Sequence, residues 1–197
     1  MGRAWFSAPG DSLTFSLLHR FPSGTLLSGL SLAVGIAVSR ALDKTGLAAT
    51  SLKWPNDILK DGRKLGGILI EMQSNTAAVI GIGINVRLPV TMPAELSLRS
   101  AALDRAVNPN ALLATLLIEI DAVCDDFATG GFVTLRDEWL ARHAWAGCAV
   151  RVMPSHGEPT EGTCVGVADD GALLLDTSVG IQRILSGDVS LRQSEAA

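Results

Sequence analysis

Apolar and polar positions alternate with period two from Ser12 to Arg20, with Leu13, Phe15 and Leu17 on one side and Thr14 and Ser16 on the other. That period predicts a strand with one buried face, entered through a turn at Pro9-Gly10-Asp11. From Gly24 to Gly46 the alternation gives way to Leu, Ala, Val and Ile set among small residues. This predicts a closely packed helix that Gly46 stops, with Lys44 in its last turn. Ser51 to Trp54 predicts a short strand, Pro55-Asn56-Asp57 a turn, Lys60 to Lys64 a polar tip, and Ile68 to Ile70 a β-branched strand after Gly66-Gly67. Thr76 to Val86 predicts a further strand, and Arg87 to Val107, weakly patterned with prolines and serines, a loop or short helical turns.

Asn108 and Pro109 have the character of an N-cap and a first-position proline. They open a helix through Leu112, Leu116, Ile120, Val123 and Phe127 to Gly130-Gly131. A second helix is expected from Phe132 to about Trp145, with Leu135, Trp139 and Leu140 inward and Arg136, Asp137, Glu138 and Arg142 on a solvated face. After Gly147 the chain breaks into short strands separated by turn residues such as Asp169-Asp170-Gly171 and Ser186-Gly187-Asp188, the pattern of a small β-barrel. The expected division is a main α/β unit over 1–146 and a β appendage over 147–197. So few residues cannot enclose a roomy cavity, and the appendage is expected to pack on the main unit for binding or docking.

Composition narrows the class. Of 197 residues, 48% are hydrophobic and 18% charged, which suits a packed globular chain and not a disordered one. A net charge of -4 gives no global attraction to nucleic acid or anionic membrane, so any phosphate binding must be local. Cys124, Cys148 and Cys164 lack C-x-x-C spacing, and His19, His143 and His156 are far apart. Inert thiols in a reducing cytosol are expected in place of a zinc site. Phe21 to Ser39 carries no charge, but its proline, serines and glycines suit a buried core helix better than a membrane span, and no secretory signal is evident.

Lys53 is the main chemical candidate. A lysine at the end of an apolar strand, beside Trp54 and Pro55, is held more firmly than a surface lysine and can fix one positive charge against a carboxylate or phosphate. Gly81 and Gly83 inside a strand weaken it and remove side chains, as expected where a ligand or another backbone comes close. Neither a dinucleotide fingerprint nor a P-loop is present, so nucleotide use would lie outside those classes.

Three blocks then carry a resemblance. Lys53-Trp54-Pro55-Asn56-Asp57, Lys64-Leu65-Gly66-Gly67-Ile68-Leu69-Ile70-Glu71 and Gly81-Ile82-Gly83-Ile84-Asn85-Val86 resemble, in order and spacing, the catalytic core of the biotin protein ligase (biotin–[acetyl-CoA-carboxylase] ligase) family. Gly2-Arg3-Ala4-Trp5-Phe6-Ser7 resembles the tail of that family's glycine/arginine-rich biotin loop. The resemblance implies an α/β fold of class II synthetase-like type, with a mixed sheet, flanking helices and a C-terminal SH3-like β-barrel. It implies ATP-dependent attachment of biotin to a lysine of a biotin carboxyl carrier protein domain through a biotinyl-5'-adenylate. Biotin, ATP and mostly water-ligated Mg2+ would take part, in the cytoplasm. A homodimer is a candidate assembly, and neither a membrane nor a nucleic-acid partner is visible in the chain.

By the same resemblance, Lys53 would contact biotin and the developing adenylate, and backbone near Gly67, Gly81 and Gly83 would line the pocket. Asn85 would meet the adenine or neighbouring phosphates. Asn56 or Asp57 would hold the turn, with capping of that turn and ligand contact both open for Asn56 and Asp57. Trp5 would pack over the adenylate end, and Arg3 would be the arginine of the biotin loop. The family's catalytic domain normally begins well before Met1, with strands that hold the biotin ring. The expectation is therefore a shortened catalytic domain with unpaired strand edges, and ATP–pyrophosphate exchange near background in the 197-residue form. Two alternatives stay open: a ligase or transferase for lipoate or octanoate, and a non-catalytic remnant acting as a binding module.

Overall fold

A computed structural model describes residues 7–46, 49–103, 107–154, 158–185 and 189–193. Strands β1 (Ser12–Arg20), β2 (Ser51–Lys53), β3 (Asp57–Lys60), β4 (Arg63–Ser74) and β5 (Ala77–Asn85) form one sheet in the order β1-β5-β4-β3-β2. The alternation read in β1 runs across the whole sheet. One face carries the rows Leu13-Ile84-Gly66-Ile58-Leu52, Phe15-Ile82-Ile68 and Leu17-Ile80-Ile70, because directly paired residues project to the same side.

Helix α1 (Leu30–Lys44) lies on that apolar face, so close that a Cβ on Gly35 would stand 3.3 Å from Leu52 Cδ2 and 3.7 Å from Ile68 Cδ1. Behind it packs α3 (Pro109–Gly130), whose N-cap Asn108 accepts hydrogen bonds from the backbone N–H of Asn110 at 3.0 Å and Ala111 at 3.2 Å. The short helix α2 (Ala94–Arg99) and α4 (Arg136–Ala141) complete the helices. Arg40 of α1 grips Glu138 of α4 with two donors, at 3.1 and 2.6 Å, and tethers those two elements.

The second sheet is built from β6 (Ala149–Pro154), β7 (Thr160–Val167), β8 (Leu173–Thr177), β9 (Gly180–Ile184) and β10 (Val189–Gln193), in the order β10-β6-β7-β8-β9. Its strands are those expected from the short-strand pattern. It packs on the first unit through Trp54, whose buried indole N–H donates to Gly171 O at 3.0 Å, and through Gly29, which meets Gly171 backbone to backbone.

Several elements differ from expectation. The long helix starts at Leu30, not Gly24, because Gly29 takes φ 81°, a left-handed conformation that marks the entry instead of continuing a helix. The polar tip is a tight hairpin: Asp61 (φ 52°) and Gly62 (φ 72°) both take positive φ, the two-residue turn whose twist suits flanking antiparallel strands. That hairpin adds β3 and extends β4 back to Arg63, through Gly66-Gly67. The helix expected from Phe132 to Trp145 is a 3-10 turn (Phe132–Thr134) followed by α4. The expected mixed sheet has only antiparallel ladders among the described residues, since hairpins and not crossovers join most of its strands; parallel pairing is confined to the isolated bridges Leu52–His143 and Lys64–Ser100. No described helix is long and apolar enough to cross a membrane.

Candidate active site

The face of the first sheet opposite α1 has a different composition. Lys53 pairs with Asp57, Asp57 with Gly67, Gly67 with Gly83, and Gly83 with Thr14, so one row crosses all five strands on the polar side. Beside it on the same face lie Ser12 with Asn85 at one end and Ser16, Gly81 and Leu69 at the other. Small and polar residues here leave a shallow floor: Thr14 and Ser16 are exposed, Gly67, Gly81 and Asn85 are half-buried and Gly83 is buried. Glycine at both central positions of the row brings ladder backbone to the floor with no side chain above it.

The charged end of the row is held from several sides. Lys53 Nζ donates to Asp57 Oδ2 at 3.1 Å and sits 4.7 Å from the centre of the Trp145 ring. Lys64 Nζ donates to the other oxygen, Asp57 Oδ1. The side chains of Lys53 and Asp57 are only 19% and 11% exposed, so this charge is fixed and partly dehydrated. Burial pulls the Lys53 ammonium below its usual pKa, with Asp57 opposing that and Lys64 and Arg192 adding to it. Burial would raise the Asp57 carboxyl, but the two lysines outweigh it and hold the group below the ordinary carboxylate range.

Trp145 reaches this site because the segment before it annexes the sheet edge: Leu52 N donates to Arg142 O at 2.8 Å and Ala144 N to Leu52 O at 2.9 Å. The turn after Lys53 is equally fixed. Trp54–Pro55 is a cis peptide, Ser31 Oγ donates to Pro55 O at 3.1 Å, and Asn56 is laced to β4 by its side-chain bond to Ile68 O at 2.8 Å and its carbonyl bond from Ile68 N at 2.9 Å. At the other end Asn85 Nδ2 donates to Ala101 O at 2.9 Å, and Leu103 N donates to Asn85 O at 3.0 Å, which closes the segment after β5 against the sheet.

The structure therefore gathers Lys53, Asp57, Gly67, Gly81, Gly83 and Asn85 on one face, whereas Asn56 uses its amide to lock the turn. Arg3 and Trp5 lie outside the described residues. Sequence reasoning missed Lys64, Trp145 and Arg192 as members of this environment. The Asp61-Gly62 hairpin signal would have revealed β3 and with it Lys64; nothing local marks the other two. Among the described residues no cluster of His, Cys, Asp or Glu could hold a metal ion. Cys124 is an inert buried thiol, pushed up to about 12 by burial and then by Asp121 and Asp125.

A partly dehydrated cation, paired with a carboxylate at the edge of a glycine floor, is the candidate site of this α/β fold. Comparison with known proteins makes the class specific. Residues 1–86 match the Biotin/lipoate A/B protein ligase family and residues 149–192 the Biotin protein ligase C terminal domain. The chain is 33% identical to the Bifunctional ligase/repressor BirA of Bacillus subtilis over 97% of its own length and 62% of that protein's. It is 30% identical to the Biotin--[acetyl-CoA-carboxylase] ligase of Paracoccus denitrificans, covering 95% of this chain and 83% of the relative. It also superposes on the biotin protein ligase from Aquifex aeolicus in complex with biotin and ATP with a TM-score of 0.87 at 30% identity, over 98% of this chain and 83% of the other. The chain belongs to the biotin protein ligase family.

Proposed function

We propose that this protein joins biotin to a lysine of a biotin carboxyl carrier protein domain in two steps, with biotinyl-5'-adenylate between them. The observation that carries this is the pinned Lys53 ammonium at the end of the Asp57-Gly67-Gly83 row. A biotin carboxylate attacking the α-phosphate of ATP, with the α–β phosphate bond breaking and pyrophosphate leaving, brings two anions together, and a cation already fixed between them cancels charge without reorganising in the transition state. The glycine floor at Gly67, Gly81 and Gly83 would let the ligand lie on ladder backbone, and Asn85 would face the nucleotide end. By the family resemblance, Trp5 would pack over the adenylate end and Arg3 would be the arginine of the biotin loop. Mg2+ would travel with the ATP phosphates and keep most of its waters. In the second step the carrier lysine attacks the mixed anhydride and AMP leaves; no protein base is assigned. The residues beyond Gly147 act as a docking unit on the catalytic unit, anchored at Trp54.

The test is exchange of radiolabelled pyrophosphate into ATP driven by biotin, on the 197-residue chain and on the product that includes any in-frame codons upstream of it. Biotin-dependent exchange, with a loss of roughly 100-fold or more in Lys53→Ala, is the expected outcome for a preorganised electrostatic group. Equal exchange in the variant removes Lys53 from the role. Exchange driven by lipoate or octanoate in place of biotin reassigns the substrate, and none with any acid in either protein overturns the ligase assignment.

A further inference from the structure

The ion pair between Lys53 and Asp57 poses a difficulty. A cation already matched by a carboxylate at 3.1 Å has no charge to offer an incoming anion. Lys64 resolves it, because Asp57 binds the two ammonium groups through different oxygens, Oδ2 to Lys53 and Oδ1 to Lys64. Among the described residues, two positive charges against one negative leave one unmatched. Lys64, at 40% side-chain exposure, is the more hydrated of the pair, whereas Lys53 is at 19% and has the Trp145 ring over it. Desolvated charge interacts more strongly, so the unmatched positive charge matters most at the Lys53 end.

Gly67 has a second part in this. A Cβ there would stand 3.3 Å from Lys64 Nζ and 3.5 Å from its Cε, so the missing side chain is the space through which the Lys64 ammonium reaches Asp57. We propose that Lys64 is a positioning residue of the active site, drawing Asp57 away from Lys53 so that the Lys53 ammonium stays fixed in place yet keeps positive charge for the anionic groups of the substrates. The use to which that charge is put rests on the ligase assignment; the competition between the lysines for Asp57 does not.

Side-chain NMR titration of the 197-residue chain separates the two. The Asp57 carboxyl and the Lys53 ammonium are followed in the wild type, Lys64→Met, Lys64→Arg and Gly67→Ala, with circular dichroism confirming the fold. In Lys64→Met both groups titrate at higher pH than in the wild type, because the carboxylate has lost one partner and Lys53 has gained a larger share of it while losing a like charge. Lys64→Arg restores both, and Gly67→Ala, which crowds the ammonium, moves Asp57 the same way by less. Unchanged titration of both groups in Lys64→Met, or failure of Lys64→Arg to restore them, overturns the proposal.

The second readout is biotin-driven exchange in whichever of the two forms supports it. Lys64→Met is expected to lower kcat and kcat/KM together, by roughly 10- to 100-fold, with recovery in Lys64→Arg. A rise in KM alone would make Lys64 a simple binding group and overturn the positioning role. Absence of exchange in the wild type would sink the ligase assignment while the titration still decides on Lys64.

Discussion

Gly66 and Gly67 are neighbours in sequence but serve opposite faces of β4. Gly67 faces the polar floor, where its missing side chain admits the Lys64 ammonium. Gly66 faces the core, and a Cβ there would stand 2.5 Å from Gly83 O, which is ladder backbone and cannot swing aside. Gly66→Ala is therefore expected to spread β4 from β5 and cost about 1–3 kcal/mol, read as a lower urea midpoint. Lys53 was legible in the sequence as a fixed cation because its neighbours Trp54 and Pro55 are stiff and apolar. Its partners were less so. Asp57 was read as a turn residue, whereas it begins β3 and meets two lysines, one four residues before it and one seven after.

Among elements, those with a strong period or a cap at the end were the ones the chain announced. β1 spans Ser12–Arg20 as its alternation requires, and α3 begins at Pro109 after Asn108. Asn108→Ala should cost about 1 kcal/mol of stability, the ordinary loss for an N-cap, with the urea m-value unchanged. β3 was missed because Asp57–Lys60 is only four residues long and carries no clean alternation; its hydrogen bonds come from β2 and β4, which the local sequence does not show. The helix expected from Phe132 begins instead as a 3-10 turn after Gly131 (φ 69°), where Phe132 fills the core beside Gly29, and α4 follows only from Arg136.

At the scale of the molecule, the two sheets meet around His143. Its ring lies 4.5 Å from that of Trp139, its Nε2 is 3.8 Å from Cys164 Sγ in the second sheet, and its Nδ1 is buried with no hydrogen-bond partner among the described residues. Burial lowers its pKa from 6.5 to about 4. The unfolded chain therefore takes up the proton first as pH falls, so stability complete above about pH 6.5 should decline by at most roughly 3 kcal/mol on the way to pH 4 and fall no further from this group. Urea midpoints across that range should slope in the wild type and lose that part of the slope in His143→Gln; an equal slope in both would show that another group carries it. Asp57 acts at lower pH, its depressed carboxyl contributing stability that is lost as pH falls through its folded value.

The sequence by itself determined most of the strands, the capped helix, the family blocks and Lys53 as a cation worth testing, since periodicity, caps and stiff neighbours are local properties of a chain. Only the tertiary structure decided that Lys53, Asp57, Gly67 and Gly83 form one row, that Lys64 shares the carboxylate, and that Trp145 and Arg192 stand near the same ammonium. Strand register, sheet order and the docking of the second sheet set those distances, and each depends on burying apolar faces contributed by residues far apart in the chain.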